Sequence, residues 1–324
     1  MPVTSKDIAR EVNLSQPTVS RILNGQWYDR VTPETRERVF EAAKRMGYQT
    51  NRLASALRHG RTRMIGFYTD HNYENNNPFF SDIVGSLQVA CKSHHLDLLF
   101  YSSFQGRSTE EIYSGVRDGR VDGLILHAAP DDPLVAKLGE SDLPVVAITD
   151  PVDSLPSVAC DDEDGMRQLA AYLWTQGYRR VIFMEPSQDF SSVRRRREGL
   201  RAALVEQGLN PGDFHLIRIE LEDAQGTLEP VRKWAGGGER VVVACWNDLT
   251  ALSLLRECSL AGAAVPGELG VCGFDGFFGD RLPPYRLVSV KCPWRQVAAT
   301  ALDRLVARIN HEEIQHYTQL PVEL

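Results

Sequence analysis

Apolar residues in the first sixty positions recur at helical spacing and are cut by residues that start and stop helices. Ile8, Ala9 and Val12 fit one short helix, with Thr4 as its N-cap and Asp7 three residues on as a loose capping box. Asn13-Leu14 interrupts the pattern. Ser15 then caps a second helix, which tolerates Pro17 in its first turn because no intrahelical N–H is needed there. Val19, Ile22 and Leu23 give this helix a buried stripe, and Asn24-Gly25 stops it. A third helix opens on Thr32-Pro33-Glu34 and buries Val39, Ala42, Ala43 and Met46. Two short helices around so tight a turn form a helix-turn-helix, which is a DNA-reading unit. Residues 51–58, NRLASALR, are good helix formers but only about two turns long. An isolated helix below about 12–15 residues is marginal in water, so this one is expected to order only when something packs against it.

From Met64 the pattern becomes an alternation of strands and helices. Strands are predicted at 64–69, 97–102, 121–127, 144–149 and 157–160, with helices near 78–94, 108–118, 132–140 and 162–176. A second series predicts strands near 180–184, 214–219, 240–245, 269–273 and 286–290, with helices near 190–207, 225–235 and 247–261. Runs such as GLILH and VVVAC read as strands buried on both faces, which means parallel sheets under helices. Two such units in tandem make two α/β subdomains with a cleft between them, and ligands of such sheets bind at the carboxyl ends of the strands. A long amphipathic helix, 294–311, is expected to cross back to the first subdomain, and a final strand, 318–323, follows it.

Composition narrows the picture in two ways. A chain of 324 residues suggests two or three domains; no apolar run approaches a membrane span and the N-terminus lacks an apolar signal core, so the expected location is the cytoplasm, with nucleoid association when DNA is bound. The six cysteines (91, 160, 245, 258, 272 and 292) form no CxxC pair and sit mostly in apolar runs, as buried thiols in a reducing compartment do. The net charge of −7 is unevenly divided: residues 1–63 carry 12 Lys/Arg against 6 Asp/Glu, leaving 24 against 37 for the remainder. A basic head on an acidic body places the field that attracts a polyanion at one end.

The runs IAREVNLSQPTVSRILNG, VTPETRERVFEAAKRMGY and NRLASALRHGR resemble the DNA-binding headpiece of the lactose-repressor/purine-repressor family. MIGFYTD, NPFFSDI, VDGLILH, LPVVAIT, the Arg196-to-Gly199 spacing in RRREGL, WNDLTAL, GVCGFD and LPPYRLVSV follow in that family's order, so the likeness spans essentially the whole chain. It implies an all-α helix-turn-helix headpiece over 1–49, a hinge helix and linker over 50–62, and a periplasmic-binding-protein-like body over 63–324. Within that body the expected first subdomain is about 63–161 with 293–318, and the second about 162–290 with 319–324. The function implied is a homodimeric, sugar-responsive repressor of a pseudo-palindromic double-stranded DNA operator. An activator or ligand-independent DNA-binding regulator, a sugar-binding module without regulatory role, and an enzyme carrying a helix-turn-helix are the alternatives.

The candidate DNA contacts follow from this arrangement. Gln16, Pro17, Thr18, Ser20 and Arg21 start the second helix; Gln16 and Arg21 are the expected base readers, with Thr18 and Ser20 on phosphates. Thr4, Ser15 and Asn24 complete the headpiece set. By the resemblance, Asn51, Arg52, Ala54, Leu57 and Arg58 belong to the hinge helix in the minor groove, with Leu57 the wedge between central base pairs and Ala54 the small residue between two hinge helices. A linker whose Leu57 packs on the body is the other reading. Two departures stand out: the loop Gly25–Val31 is about two residues longer than the family pattern, and Thr50 stands where proline often precedes the hinge asparagine. Trp27, Tyr28 and Arg30 in that loop either touch the DNA backbone or cover the small core.

Candidate effector-binding residues follow strand ends. Asp70, Phe79 and Phe80 come after the first strand, with either phenylalanine suited to stack on an apolar ring face; Thr149 ends the fourth. Arg196 matches the family's effector arginine, whereas Arg194, Arg195 and Arg197 read as solvated. Trp246, Asn247 and Asp248 follow strand 240–245, Asp275 follows GVCGF, and Trp294 falls where the family places an aromatic wall. Polar forks with aromatic faces suit a polyhydroxylated ligand, although Asp248 reads equally as a helix cap. Thr149-Asp150 and Cys292 depart from sugar-responsive relatives. No cofactor or metal is expected: the acidic run 161–165 is explained by the helix dipole, Gly236–Gly238 reads as a turn, His94-His95 lacks a partner at useful spacing, and no catalytic constellation declares itself.

Overall fold

The computed structural model describes residues 3–25, 30–48, 60–69, 77–101, 106–188, 190–220, 223–236, 240–278 and 287–324. The chain divides into two compact units, residues 1–62 and 63–324. The expected hinge residues Asn51, Arg52, Ala54, Leu57 and Arg58, together with Trp27, Tyr28 and Asp70, lie outside the described residues.

In the first unit, α1 (Ser5–Glu11), α2 (Gln16–Leu23) and α3 (Pro33–Arg45) close around Ile8, Val19, Ile22 and Val39, each of which is fully buried. So small a core leaves much of the shape to the helix ends. At the α1 N-terminus the amide and hydroxyl of Thr4 both donate to Asp7 Oδ2, at 3.0 and 2.6 Å. At its C-terminus Asn13 takes a left-handed conformation (φ 54°), the Leu14 N–H reaches the Ala9 carbonyl and the Asn13 N–H reaches that of Arg10. This is the Schellman pattern, and it makes the tight turn that places α2 against α1. Ser15 and Thr32 cap α2 and α3 by accepting from the amides of Thr18 and Thr35.

The second unit holds two parallel sheets. The first runs β11-β5-β4-β3-β1-β2, from β1 (Met64–Thr69), β2 (Asp97–Phe100), β3 (Gly123–His127), β4 (Val145–Ile148), β5 (Ser157–Cys160) and β11 (Tyr317–Leu320). The second runs β10-β9-β8-β6-β7, from β6 (Arg180–Pro186), β7 (Phe214–Ile219), β8 (Val241–Cys245), β9 (Leu269–Asp275) and β10 (Val288–Lys291). Leaving β11 aside, the two orders are the same, so the body is a repeated α/β unit. Helices α4 (Pro78–Ser93), α5 (Thr109–Val116) and α6 (Pro133–Gly139) belong to the first series, and α8 (Ser191–Glu206), α9 (Leu228–Ala235) and α10 (Asp248–Leu260) to the second. Helix α7 (Asp162–Thr175) follows the crossing from one sheet to the other, and α11 (Trp294–Ile309) returns to pack on α4 and β3–β5. β3, β4, β5, β8 and β9 are buried throughout, as their apolar runs require. All six cysteines are buried free thiols, and no described helix is long and apolar enough to cross a membrane.

The tail corrects one boundary. Residues 319–324 were expected in the second subdomain, but Tyr317–Leu320 pairs in parallel with Ser157–Cys160 of the first sheet. An isolated bridge between Glu323 and Lys291 then ties the end of the tail to β10. The hydrogen-bond register of a parallel edge decides this, and a short strand of mixed polar and apolar residues does not encode it.

Two close approaches fix the second sheet's helices. A Cβ at Gly165 in α7 would lie 2.7 Å from Val290 Cγ1, 2.9 Å from Val322 Cγ2 and 3.1 Å from Phe274 Cε2, so only glycine lets α7 settle on β9 and β10. A Cβ at Gly273 would collide with Asp248 Oδ1. Asp248 is fully buried at the start of α10; it accepts from the Phe277 amide (2.8 Å) and from Ser289 Oγ (2.5 Å), and so braces the segment after β9. The cap of α10 is Asn247 rather than Asp248, with Asn247 Oδ1 accepting from the Thr250 amide at 2.8 Å. Burial pushes the Asp248 carboxyl up to about 6 against the opposing pull of those donors.

Gly165→Val is therefore expected to lower unfolding stability in urea by about 1–3 kcal/mol through overpacking; an unchanged midpoint would place α7 further from the sheet. Asp248 is an acid whose folded pKa lies above its unfolded one. It favours the folded chain most below about pH 4 and loses that contribution as pH rises through about 6, by at most roughly 3 kcal/mol. Asp248→Asn should gain on the native chain in stability between pH 4.5 and 7.5, and a gap constant with pH would contradict this.

Candidate functional site: the headpiece helix and the strand ends of the body

The outward face of α2 begins with Gln16 and Pro17, both exposed, followed by the half-buried Thr18 and Arg21. Gln16 Nε2 donates to Ser5 Oγ at 3.1 Å, which holds its amide at the start of the helix. Thr18 Oγ1 lies 2.7 Å from Ser15 Oγ, so these two hydroxyls support the helix start together. Ser20 corrects the expectation of a phosphate contact. It is buried, and its carbonyl and Oγ face Asn24 Nδ2 at 2.6 and 3.4 Å. The helical period puts it with Val19 on the inner side, and a short polar residue there is invisible to a search for apolar stripes.

In the body, Asp275 ends β9, Thr149 follows β4 and Trp246 follows β8, whereas Phe79 and Phe80 lie in the first turn of α4, Arg196 lies within α8 and Trp294 opens α11. Phe79 and Phe80, adjacent in sequence, go opposite ways on α4. Phe79 lies 5.4 Å from the His127 ring and meets Trp294 edge-on at 5.0 Å, whereas Phe80 packs between Phe67 and Phe100 as core. Trp246 stacks on Phe190 at 6.0 Å. Thr149 directly follows β4 and Asp275 ends β9, equivalent strands of the two sheets, and both take positive φ, 69° and 107°. Side chains rarely adopt such angles, which turn the chain sharply out of each sheet.

Arg196 is the electrostatic centre of the second half. It is almost fully buried; its Nε donates to Asp162 Oδ1 at 2.8 Å, its Nη1 donates to the Trp246 carbonyl at 2.8 Å, and Nη1 lies 3.7 Å from Asp275 Oδ1. Its guanidinium also stacks over the Phe274 ring. Burial disfavours the Arg196 charge, yet Asp162 and Asp275 overcome this and raise its pKa. Two neighbouring arginines are not solvated as expected. Arg195 binds Asp162 Oδ2 through Nε at 3.1 Å and Nη2 at 2.5 Å, and Arg197 binds the buried Glu185 at 2.9 Å. Only Arg194 lies exposed. Asp162 is likewise more than a dipole partner, since a buried carboxylate held by two guanidiniums is a structural hub. Among the described residues no group of His, Cys, Asp and Glu could hold a metal ion.

Sequence reasoning missed His127, Asp150, Ser191 and Ser192. Asp150 is buried: Ser191 Oγ and the Ser192 amide donate to its Oδ1, both at 2.7 Å, and His127 Nε2 stands 3.9 Å from its Oδ2. The signal was present in the sequence, because Asp150 directly follows the expected strand-end residue Thr149.

Three polar atoms near these strand ends are buried and have no hydrogen-bond partner among the described residues: Thr149 Oγ1, Trp246 Nε1 and Trp294 Nε1. A buried polar atom without a partner carries a desolvation penalty of about 1–3 kcal/mol, which an acceptor brought from outside the chain would relieve.

Comparison with known proteins agrees with both halves of this geometry. Residues 4–51 match the family described as bacterial regulatory proteins, lacI family, and residues 65–321 match periplasmic binding proteins and the sugar binding domain of the LacI family. The probable HTH-type transcriptional repressor ExuR of Bacillus subtilis is 26% identical over 96% of this chain and 93% of its own. A lac repressor dimer bound to operator and the anti-inducer ONPF superposes with a TM-score of 0.83 at 22% identity, covering 99% of this chain and 97% of that one. The transcriptional regulator CelR in complex with cellobiose gives a TM-score of 0.69 at 26% identity, covering 99% of this chain and 98% of that one. The chain belongs to the LacI family of bacterial transcriptional regulators.

Proposed function

We propose that this regulator is a homodimeric repressor whose hold on a pseudo-palindromic operator is switched by a carbohydrate bound between the two sheets. The observation that carries the ligand half is the set of orphaned donors, Thr149 Oγ1, Trp246 Nε1 and Trp294 Nε1, beside the aromatic faces of Phe79 and Phe190. An indole N–H only donates, so the ligand must offer acceptors next to apolar C–H faces, and a sugar does both. Cellobiose in the CelR complex is such a ligand. Asp70, Arg196, Asn247, Asp248 and Asp275 complete the proposed site, with Arg196, Asn247 and Asp248 ordering its walls through their contacts within the chain.

For the DNA half, Gln16 and Arg21 read bases from α2, Thr4, Ser15, Pro17, Thr18 and Asn24 position the headpiece, and Asn51, Arg52, Ala54, Leu57 and Arg58 form the minor-groove hinge. Two copies match the symmetry of a pseudo-palindrome, and the lac repressor neighbour is a dimer bound to operator. Val89 and Leu260, exposed apolar side chains of α4 and α10, are surface that a second copy would cover. The protein acts in the cytoplasm. Ligand and operator are coupled through cleft closure, with each biasing the same two global states.

Operator sites selected from random duplexes by the full chain should be pseudo-palindromic. Leu57→Ala should weaken operator binding at least tenfold while leaving nonspecific binding within about twofold; equal losses on both would remove the wedge assignment. A thermal-shift screen against sugars, sugar phosphates, nucleobases and amino acids should give a saturable rise for a sugar. Trp294→Phe, which deletes one donor and keeps a ring, should weaken that ligand about 5- to 10-fold. The site is wrong if no sugar stabilises the protein, or if Trp294→Phe and Trp246→Phe both bind like the native chain.

A further inference from the structure

Helix α8 has no side-chain cap of its own, because its N-cap position is Phe190. The groups that would need one are supplied from the other sheet. Asp150, two residues beyond β4 in the first half of the body, places Oδ1 2.7 Å from both Ser191 Oγ and the Ser192 amide, in the first turn of a helix that follows β6 in the second half. A carboxylate at this end also meets the positive pole of a 16-residue helix. The contact is buried on both sides: Asp150 is 4% exposed, and Ser191 and Ser192 are 8% each.

The backbone pays for this placement. The Asp150 N–H closes on the Ile148 carbonyl at 2.8 Å across Thr149, whose φ of 69° is unfavourable for a β-branched residue. So tight a three-residue turn is rare and strained, and it swings Asp150 out of the first sheet toward α8. The surrounding groups complete a polar seam. His127 Nε2 faces Asp150 Oδ2 at 3.9 Å, and Arg195 Nη1 donates to Ser191 Oγ at 3.1 Å while its other nitrogens hold Asp162. Burial opposes the Asp150 charge, but His127, the Ser191 hydroxyl, the Ser192 amide and Arg195 outweigh it and hold the carboxyl below its usual range.

We propose that Asp150 is an internal latch between the two halves of the body, a capping contact made across the cleft that resists its opening and thereby sets the regulator's operator affinity before any effector acts. Both partners belong to the chain, so the latch needs no third molecule. An effector then works against or alongside a contact that is already built. The proposal rests on the regulatory reading above only for its effect on DNA; the latch itself can be read without DNA or ligand.

Hydrogen exchange measured residue by residue on the full-length protein tests it directly. The Ser192 N–H lies in the first helical turn, where no intrahelical acceptor exists, so its protection reports the bond to Asp150 alone. Asp150→Ala should speed Ser192 exchange at least tenfold, enlarge the radius of gyration in solution scattering, and change ligand-free operator affinity at least fivefold with nonspecific binding unchanged. Asp150→Asn, which keeps an acceptor oxygen, should restore part of the protection. Ser191→Ala should give an intermediate effect, and these two variants carry the test if Asp150→Ala does not fold. Unchanged Ser192 exchange across the variants would overturn the latch. Faster exchange with unaltered operator affinity would overturn its regulatory role. A native chain that selects no operator sequence would instead overturn the DNA-binding reading, with exchange still deciding the latch.

Discussion

The Asp162 carboxylate, pinned between Arg195 and Arg196, is the contact on which the geometry of the cleft depends. It stands in the first turn of α7, where the chain has just left the first sheet, and its two partners stand on α8 of the second. Arg196 carries the linkage onward to the Trp246 carbonyl after β8 and to Asp275 at the end of β9. One buried ion cluster thus joins the crossover to three elements of the second half. Removing one member of such a cluster leaves a buried charge uncompensated, at about 3–5 kcal/mol, which is why the arrangement stays fixed. The floor that an effector would meet is in this sense an electrostatic object, finished by the aromatic faces packed around it.

The repeated strand order gives the cleft its form, and departures from the repeat give it its chemistry. β4 and β9 hold equivalent places; the left-handed residue Thr149 directly follows the first and the left-handed Asp275 ends the second. The carboxylates at these strand ends then act differently. Asp275 faces the buried Arg196 in the second half, whereas Asp150 in the first reaches across to α8.

Local hydrogen bonding dominates the small N-terminal unit. Its core of a few aliphatic side chains buries too little surface to dictate helix directions unaided, and the capping of Thr4, Ser15 and Thr32 with the left-handed turn at Asn13 supplies the rest. The same economy keeps Gln16 at the exposed helix start, held by Ser5.

Much of this was legible in the residues. Helix caps, apolar periods and the doubling of the α/β pattern are local, short-range properties, so the three headpiece helices, both strand series and the strand-end positions of Thr149, Trp246 and Asp275 could be read directly, while Arg196 and Trp294 came from the family resemblance. Partnership could not. Whether Phe79 or Phe80 faces the cleft depends on how α4 is rotated against β1 and β3. Whether an arginine in RRRR is solvated depends on where Asp162 and Glu185 arrive from distant strands. The sheet that receives β11, the brace made by Asp248 and the reach of Asp150 to α8 depend likewise on long-range register and on groups brought together only when both sheets are assembled. Sequence determined the elements and the ends of strands where chemistry would collect; the tertiary structure decided which charges meet, because an ion pair or a hydrogen bond is a property of two positions and the chain specifies their separation only by folding.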